Sequence, residues 1–139
     1  MTHLRRRRDD GFTLVELLVV CVILGILAAI AIPAYIRHKE KAYRAQAIAD
    51  MKNAAIAVET YGTEDQFNSF AGVDGADKDD PVLKAEGFRP SQWVTLTVRA
   101  TATSYCIEGE NKFVPGKTFV YRSDNGRIEI AATGLVTCA

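Results

Sequence analysis

Charge is missing from residues 17 to 34. This run of 18 residues (LLVVCVILGILAAIAIPA) holds no Asp, Glu, Lys or Arg. With Phe12 to Val15 in front, it is long enough for a helix to cross a hydrocarbon core, which takes ~20 residues. Side chains that carry chemistry are scarce as well. There are two histidines (His3 and His38) and three cysteines, whose spacing fits no zinc or thioredoxin-type motif. No Gly-rich phosphate loop, metalloprotease motif or Cys/His pair is present. These absences leave the chain without the usual signatures of an enzyme, and it reads as a substrate of enzymes. No cofactor, catalytic residue or metal is expected.

Net charge is also absent, with 17 basic against 17 acidic side chains. The basic ones are unevenly placed, since Arg5 to Arg8 form an unbroken block ahead of the apolar run. Such a block can be read as a nucleic-acid patch or as a topology signal. As a topology signal it holds the N-terminus on the cytoplasmic side. Asp9 and Asp10 follow it, which makes a poor twin-arginine export pattern. Loss of residues 1–11 would leave 13 basic and 15 acidic side chains, a net charge of about −2. No basic surface for nucleic acid then remains.

Against this uncharged background stands one acid. Gly11-Phe12-Thr13-Leu14-Val15-Glu16 puts a carboxylate at the start of the apolar stretch. An ionisable group inside a membrane span is costly and needs a partner. A cut between Gly11 and Phe12 would create an amine four residues before Glu16, able to meet that carboxylate or the one of a neighbouring copy. The cut itself would supply the counter-charge.

A basic leader ending in Gly, then Phe-Thr-Leu-Val-Glu and an uncharged stretch, resembles a type IV prepilin over residues 5 to about 44. The resemblance implies cleavage after Gly11 by a membrane aspartyl prepilin peptidase and N-methylation of the new Phe12 amine. It implies that Glu16 brings subunits into register by pairing with the Phe12 amine of an adjacent copy. Gly25 and Pro33 fall where related pilins carry helix-weakening residues.

Two other readings of the N-terminus stay open on the residues alone. A basic start, an apolar core and Ala29-Ile30-Ala31 also fit a secretory signal cut after Ala31. An uncut single-pass anchor is the third. A plain signal has no use for Glu16.

Beyond the apolar run, Pro33 predicts a bend, and Arg37, His38, Lys39 and Lys41 mark the exit from the bilayer, where Tyr35 and Tyr43 can lie at the interface. Ile48, Met51, Ala55 and Val58 recur at helical spacing, with Gln46, Asp50, Asn53 and Glu59 on other faces. Gly62 is the expected stop. Phe12 to Tyr61 thus reads as one helix of about 75 Å. Asp80, Pro81 and Gly87 frame a short helix, and Phe67, Phe70, Leu83 and Phe88 are expected to pin the connection onto the rest. Strands are expected at 93–98, 104–107, 118–122 and 127–130, the last pair joined through Asn125-Gly126. Asp74, Asp77, Asp79 and Asp80 cluster without EF-hand spacing, so a solvated loop and a calcium site both stay open. Cys21 reads as a small apolar residue in the membrane. A Cys106–Cys138 disulfide would close a loop of about 33 residues and contribute roughly 3–4 kcal/mol on the chain-entropy model. Such a staple resembles the one closing the C-terminal region of many pilins.

The expected fold is α+β: a long helix whose second half packs on an antiparallel sheet of about four strands. The expected organisation is a leader (1–11), a membrane or filament-core helix half (12–36), an amphipathic half (37–62), a connection with a short helix (63–92) and a disulfide-closed sheet region (93–139). The resemblance implies a structural subunit of a type IV pilus-like filament, with a pseudopilin of a secretion or DNA-uptake pseudopilus as the alternative. A non-filamentous secreted or anchored binding domain goes with the Ala31 cut or no cut. Expected partners are further copies of the chain in a helical filament, the prepilin peptidase, a pilus or secretion assembly machinery, and membrane lipid before assembly. The implied location is the cytoplasmic membrane, then an extracellular filament.

Overall fold

A computed structural model describes residues 11–66, 68–135 and 137–138. Arg5 to Arg8, and the expected packing of Phe67, lie outside the described residues. The chain divides into two compact units, the first ending at His38 and the second beginning at Lys39. Helix α1, Leu14–Glu64, contributes to both.

In the first unit the helix is apolar on every side from Leu17 to Ala34, and its large apolar side chains are exposed. It is long and apolar enough to cross a membrane. The helix runs through Gly25 and Pro33 without interruption. Pro33 has no N–H to offer the carbonyl one turn back, so a single bond of the ladder is missing there.

The second unit carries the hydrophobic core. Along α1, Ala47, Met51, Ala54, Ala55, Ala57 and Val58 are buried and Ile48 is partly so. Small side chains dominate this face, which lets a sheet approach closely. The sheet is an antiparallel meander in the order β1-β2-β3-β4, formed by Val94–Ala100, Tyr105–Asn111, Lys117–Arg122 and Arg127–Ala132. The period-two alternation sends Val94, Leu96, Val98, Ile107 and Phe119 into the core. Removing each such side chain from water stabilises the fold by ~1.5–3 kcal/mol. Gly109 faces Met51, and a Cβ there would meet the Thr95 carbonyl oxygen at 3.3 Å. The Ser123–Gly126 turn closes the β3–β4 hairpin, with Gly126 at φ 64° and the Arg127 N–H bonded to Asn125 Oδ1 at 2.9 Å.

The connection from α1 to β1 covers the outer edge of β1. Gly75 N–H donates to the Val98 carbonyl, Val98 N–H donates to the Ala76 carbonyl, and Asp77 bridges Thr97. Pairing of this kind protects an edge strand from foreign strands. Helix α2, Pro81–Ala85, starts at Asp80, whose carboxylate accepts from the Val82 and Leu83 amides. Leu83 and Phe88 are buried, and Phe70 packs edge-on against Tyr105 at 5.1 Å.

Two expectations need correction. Gly62 does not stop α1, which continues to Glu64. It is a buried helical residue where a Cβ would come within 2.2 Å of the Phe70 ring, so it is glycine for closeness and not for termination. Asp50 does not lie on a solvent face. It is only 4% exposed, with its carboxylate bonded to Ser91.

Candidate functional site at the start of the helix

The segment around Gly11 is where the sequence places its chemistry. Gly11, Phe12 and Thr13 precede the first turn, and Phe12 is 88% exposed. A peptide bond at exposed residues outside regular secondary structure is the kind a protease can reach. Gly11 adds no Cβ near it, and the space around that position is open.

Glu16 has partners within its own chain. Its Oε2 accepts from the Thr13 amide at 3.0 Å and from the Thr13 hydroxyl at 2.8 Å, while the Glu16 amide donates to Thr13 Oγ1 at 3.2 Å. Thr13 is the N-cap and Glu16 the third helical residue, so the pair forms a reciprocal capping box. Helix starts leave four N–H groups unsatisfied. In lipid no water can serve them, so the box also removes a desolvation penalty. The carboxylate sits at the positive end of the helix dipole.

Thr13 was not among the expected site residues. The signal was there, since Thr-x-x-Glu ahead of an apolar run is a capping-box pattern. Phe12 and Glu16 are close in sequence, but the hydrogen bonds of Glu16 go to Thr13. Cys106 and Cys138 are joined as a disulfide with Cα atoms 5.7 Å apart. The bond holds the C-terminal segment across the outer face of the sheet, where Arg122 donates to the Thr137 carbonyl at 2.8 Å and the Cys138 amide to Glu108.

The four clustered aspartates separate into different tasks. Asp74 accepts from the Ala100 amide, Asp77 from the Asp79 amide, and Asp80 caps α2. Hydrogen bonds from Lys78 and Lys84 hold the Asp79 carboxyl below the usual carboxylate range. Among the described residues no group of three or more His, Cys, Asp or Glu side chains is placed to hold a metal ion.

Residues 6–32 match the model of the prokaryotic N-terminal methylation motif. Over 127 residues the chain is 34% identical to the type IV major pilin protein PilE1 of Neisseria gonorrhoeae, covering 87% of this chain and 67% of that protein. The chain belongs to the type IV pilin family. Its long apolar helix followed by a four-stranded antiparallel sheet is the α+β plan expected of such a pilin-like protein.

Other relatives match over a smaller part of the chain. The type II secretion system core protein G of Aeromonas hydrophila is 43% identical over 58 residues, 42% of this chain and 41% of that protein. The type IV major pilin protein PilA of Myxococcus xanthus is 39% identical over 69 residues, 49% of this chain and 31% of that protein. These two matches therefore span less than half of each relative. No solved structure gives a significant match. The relatives named are subunits of pili and secretion systems, so this pilin-like chain groups with structural proteins.

Proposed function

We propose that the chain is a prepilin, the precursor of a structural subunit of a type IV pilus-like filament. The observation that carries this reading is an uncovered apolar helix that begins three residues after Gly11 and holds Glu16 as its one acid before the bilayer exit. The precursor spans the cytoplasmic membrane with its N-terminus inside. The prepilin peptidase cuts after Gly11, the Phe12 amine is methylated, and an assembly machinery extracts the subunit into a filament at the cell surface. The chain acts by assembly and not by catalysis.

Filament cohesion comes from packing of the apolar helices about a common axis. A helix that is apolar all round suits both lipid and a bundle, and repeated head-to-tail contacts that do not close give an open helix. Glu16 then exchanges part of its bonding with Thr13 for the Phe12 amine of a neighbour, and that charge pair selects register. Gly25 and Pro33 are the positions where the helix weakens on assembly.

Sequencing the mature N-terminus tests the reading. Phe12 supports it, and Ile32 or an intact leader overturns it. Glu16→Ala is expected to be processed normally yet to yield few filaments. The match to core protein G favours a second reading, a pseudopilin in a secretion or DNA-uptake apparatus. Long surface filaments under the electron microscope distinguish the pilus from the short pseudopilus.

A further inference from the structure

The second unit has an aromatic and cationic face that neither its core nor filament packing of the apolar helix requires. Tyr43, on α1, stacks on Phe113 with centroids 4.5 Å apart and planes 24° from parallel. Trp93, just ahead of β1, meets Phe113 edge-on at 5.4 Å. Lys39 Nζ lies 5.8 Å from the Tyr43 centroid, and Lys112 Nζ lies 5.2 Å from that of Trp93.

The arrangement is built and not accidental. Buried Asn111 donates to the Tyr43 carbonyl at 3.1 Å and accepts from the Phe113 amide at 2.9 Å, fixing the β2–β3 turn against the helix. Yet Trp93 and Phe113 stay 37% and 39% exposed. Beside them lies an open hollow of about 500 Å³ lined in part by Trp93, Lys112 and Lys117. Its acid, Glu110, already accepts from the Thr118 hydroxyl at 3.1 Å, and Glu40 on α1 is bridged to Arg44.

Tyr43 follows Ile36, the end of the apolar stretch, by seven residues. At 1.5 Å per residue that is about 10 Å of helix. Headgroup layers add roughly 5–8 Å on each side of the hydrocarbon core, and tilt shortens the remaining gap. Aromatic rings with a wet edge and lysines on flexible stems are the side chains that settle in this layer. The chain without its first 11 residues carries about −2 overall, so a cationic face on the second unit is a local exception.

We propose that Tyr43, Trp93 and Phe113, with Lys39, Lys112 and Lys117, form a docking surface for the anionic phosphate headgroups of the membrane that the helix spans. The head rests on the lipid through this face before the subunit enters a filament. The inference depends on membrane residence of the apolar helix, and its test separates the two.

Trp93 is the one tryptophan of the chain, so its emission reports on this surface alone. The full chain is reconstituted at low protein density in phosphatidylcholine vesicles, with or without phosphatidylglycerol, and flotation first establishes insertion. Lipids with a nitroxide on the headgroup are expected to quench Trp93 about twofold or more, while aqueous acrylamide quenches it weakly. The lipid quenching should increase with phosphatidylglycerol and fall to the neutral-vesicle level in a Lys39→Glu/Lys117→Glu variant. Vesicles that float with Trp93 open to acrylamide and untouched by the nitroxide overturn the docking surface and leave membrane residence standing. Shielding that follows protein density and not lipid charge assigns the face to a second copy, which also overturns it. A chain that does not float with the vesicles overturns both.

Discussion

Asp50 on α1 and Ser91 ahead of β1 are joined twice across 41 positions of sequence. The carboxylate accepts from the Ser91 amide at 2.9 Å and from its hydroxyl at 3.0 Å. The bond pair holds the entry to the sheet against the helix, and it explains why an acid lies on the buried side of α1. Asp50→Ala leaves the Ser91 amide without its acceptor and is expected to cost roughly 1–3 kcal/mol. Denaturant unfolding of the detergent-solubilised chain checks this, and an unchanged midpoint would refute the tie.

Thr13 is expected to set the start of the helix. Thr13→Val keeps the shape but removes the hydroxyl that both donates to the Glu16 carboxylate and accepts from the Glu16 amide. Hydrogen exchange at the Glu16 amide should then accelerate in micelles, whereas Thr13→Ser should leave it slow. Equal exchange in all three chains would show that the box does not hold.

Gly62→Ala tests closeness against propensity. In an open helix the change stabilises by about 0.8–1 kcal/mol. Here the new methyl meets the Phe70 ring, which is itself packed against Tyr105, so the sign should reverse and stability fall by about 1–3 kcal/mol. Adding Phe70→Ala should restore the benefit of alanine at position 62. A rise in melting temperature from Gly62→Ala alone would contradict the contact.

Tyr105 should make the head sensitive to alkali. Burial of its ring, then its hydrogen bond to Glu59 Oε1 at 2.8 Å, pushes the phenol well above its ordinary value near 10. The folded state keeps that proton while the unfolded state releases it. Stability is therefore full below about pH 10 and falls as pH rises above it. Melting temperatures measured from pH 8 to 11.5 should decline more steeply in the parent chain than in Tyr105→Phe. Equal slopes would place the phenol in water.

Several elements are written locally. Asp80 and Pro81 begin α2 because a carboxylate can cap while proline needs no N–H there, and Asn125-Gly126 turns the β3–β4 hairpin because glycine accepts a positive φ. The Met51, Ala55 and Val58 spacing likewise identifies the face of α1 that meets the sheet. Other features depend on a partner far along the chain. Nothing near Gly62 announces Phe70, and nothing near Asp50 announces Ser91. The strand-like cover that residues 75–77 lay on β1 follows from a free edge that exists only once the sheet has formed. The Thr13–Glu16 cap is also written locally, as Thr-x-x-Glu ahead of an apolar run.

The order of residues alone determined where a helix can live in lipid and which acid interrupts its apolar surface. Hydrophobic length and a lone charge are properties of neighbouring residues, so they need no fold. Only tertiary structure decided which polar groups of α1 face inward, why residue 62 has no side chain, and how Tyr43, Trp93 and Phe113 come to share one face. Those outcomes depend on contacts between distant segments, and such contacts form only when the sheet closes over the helix.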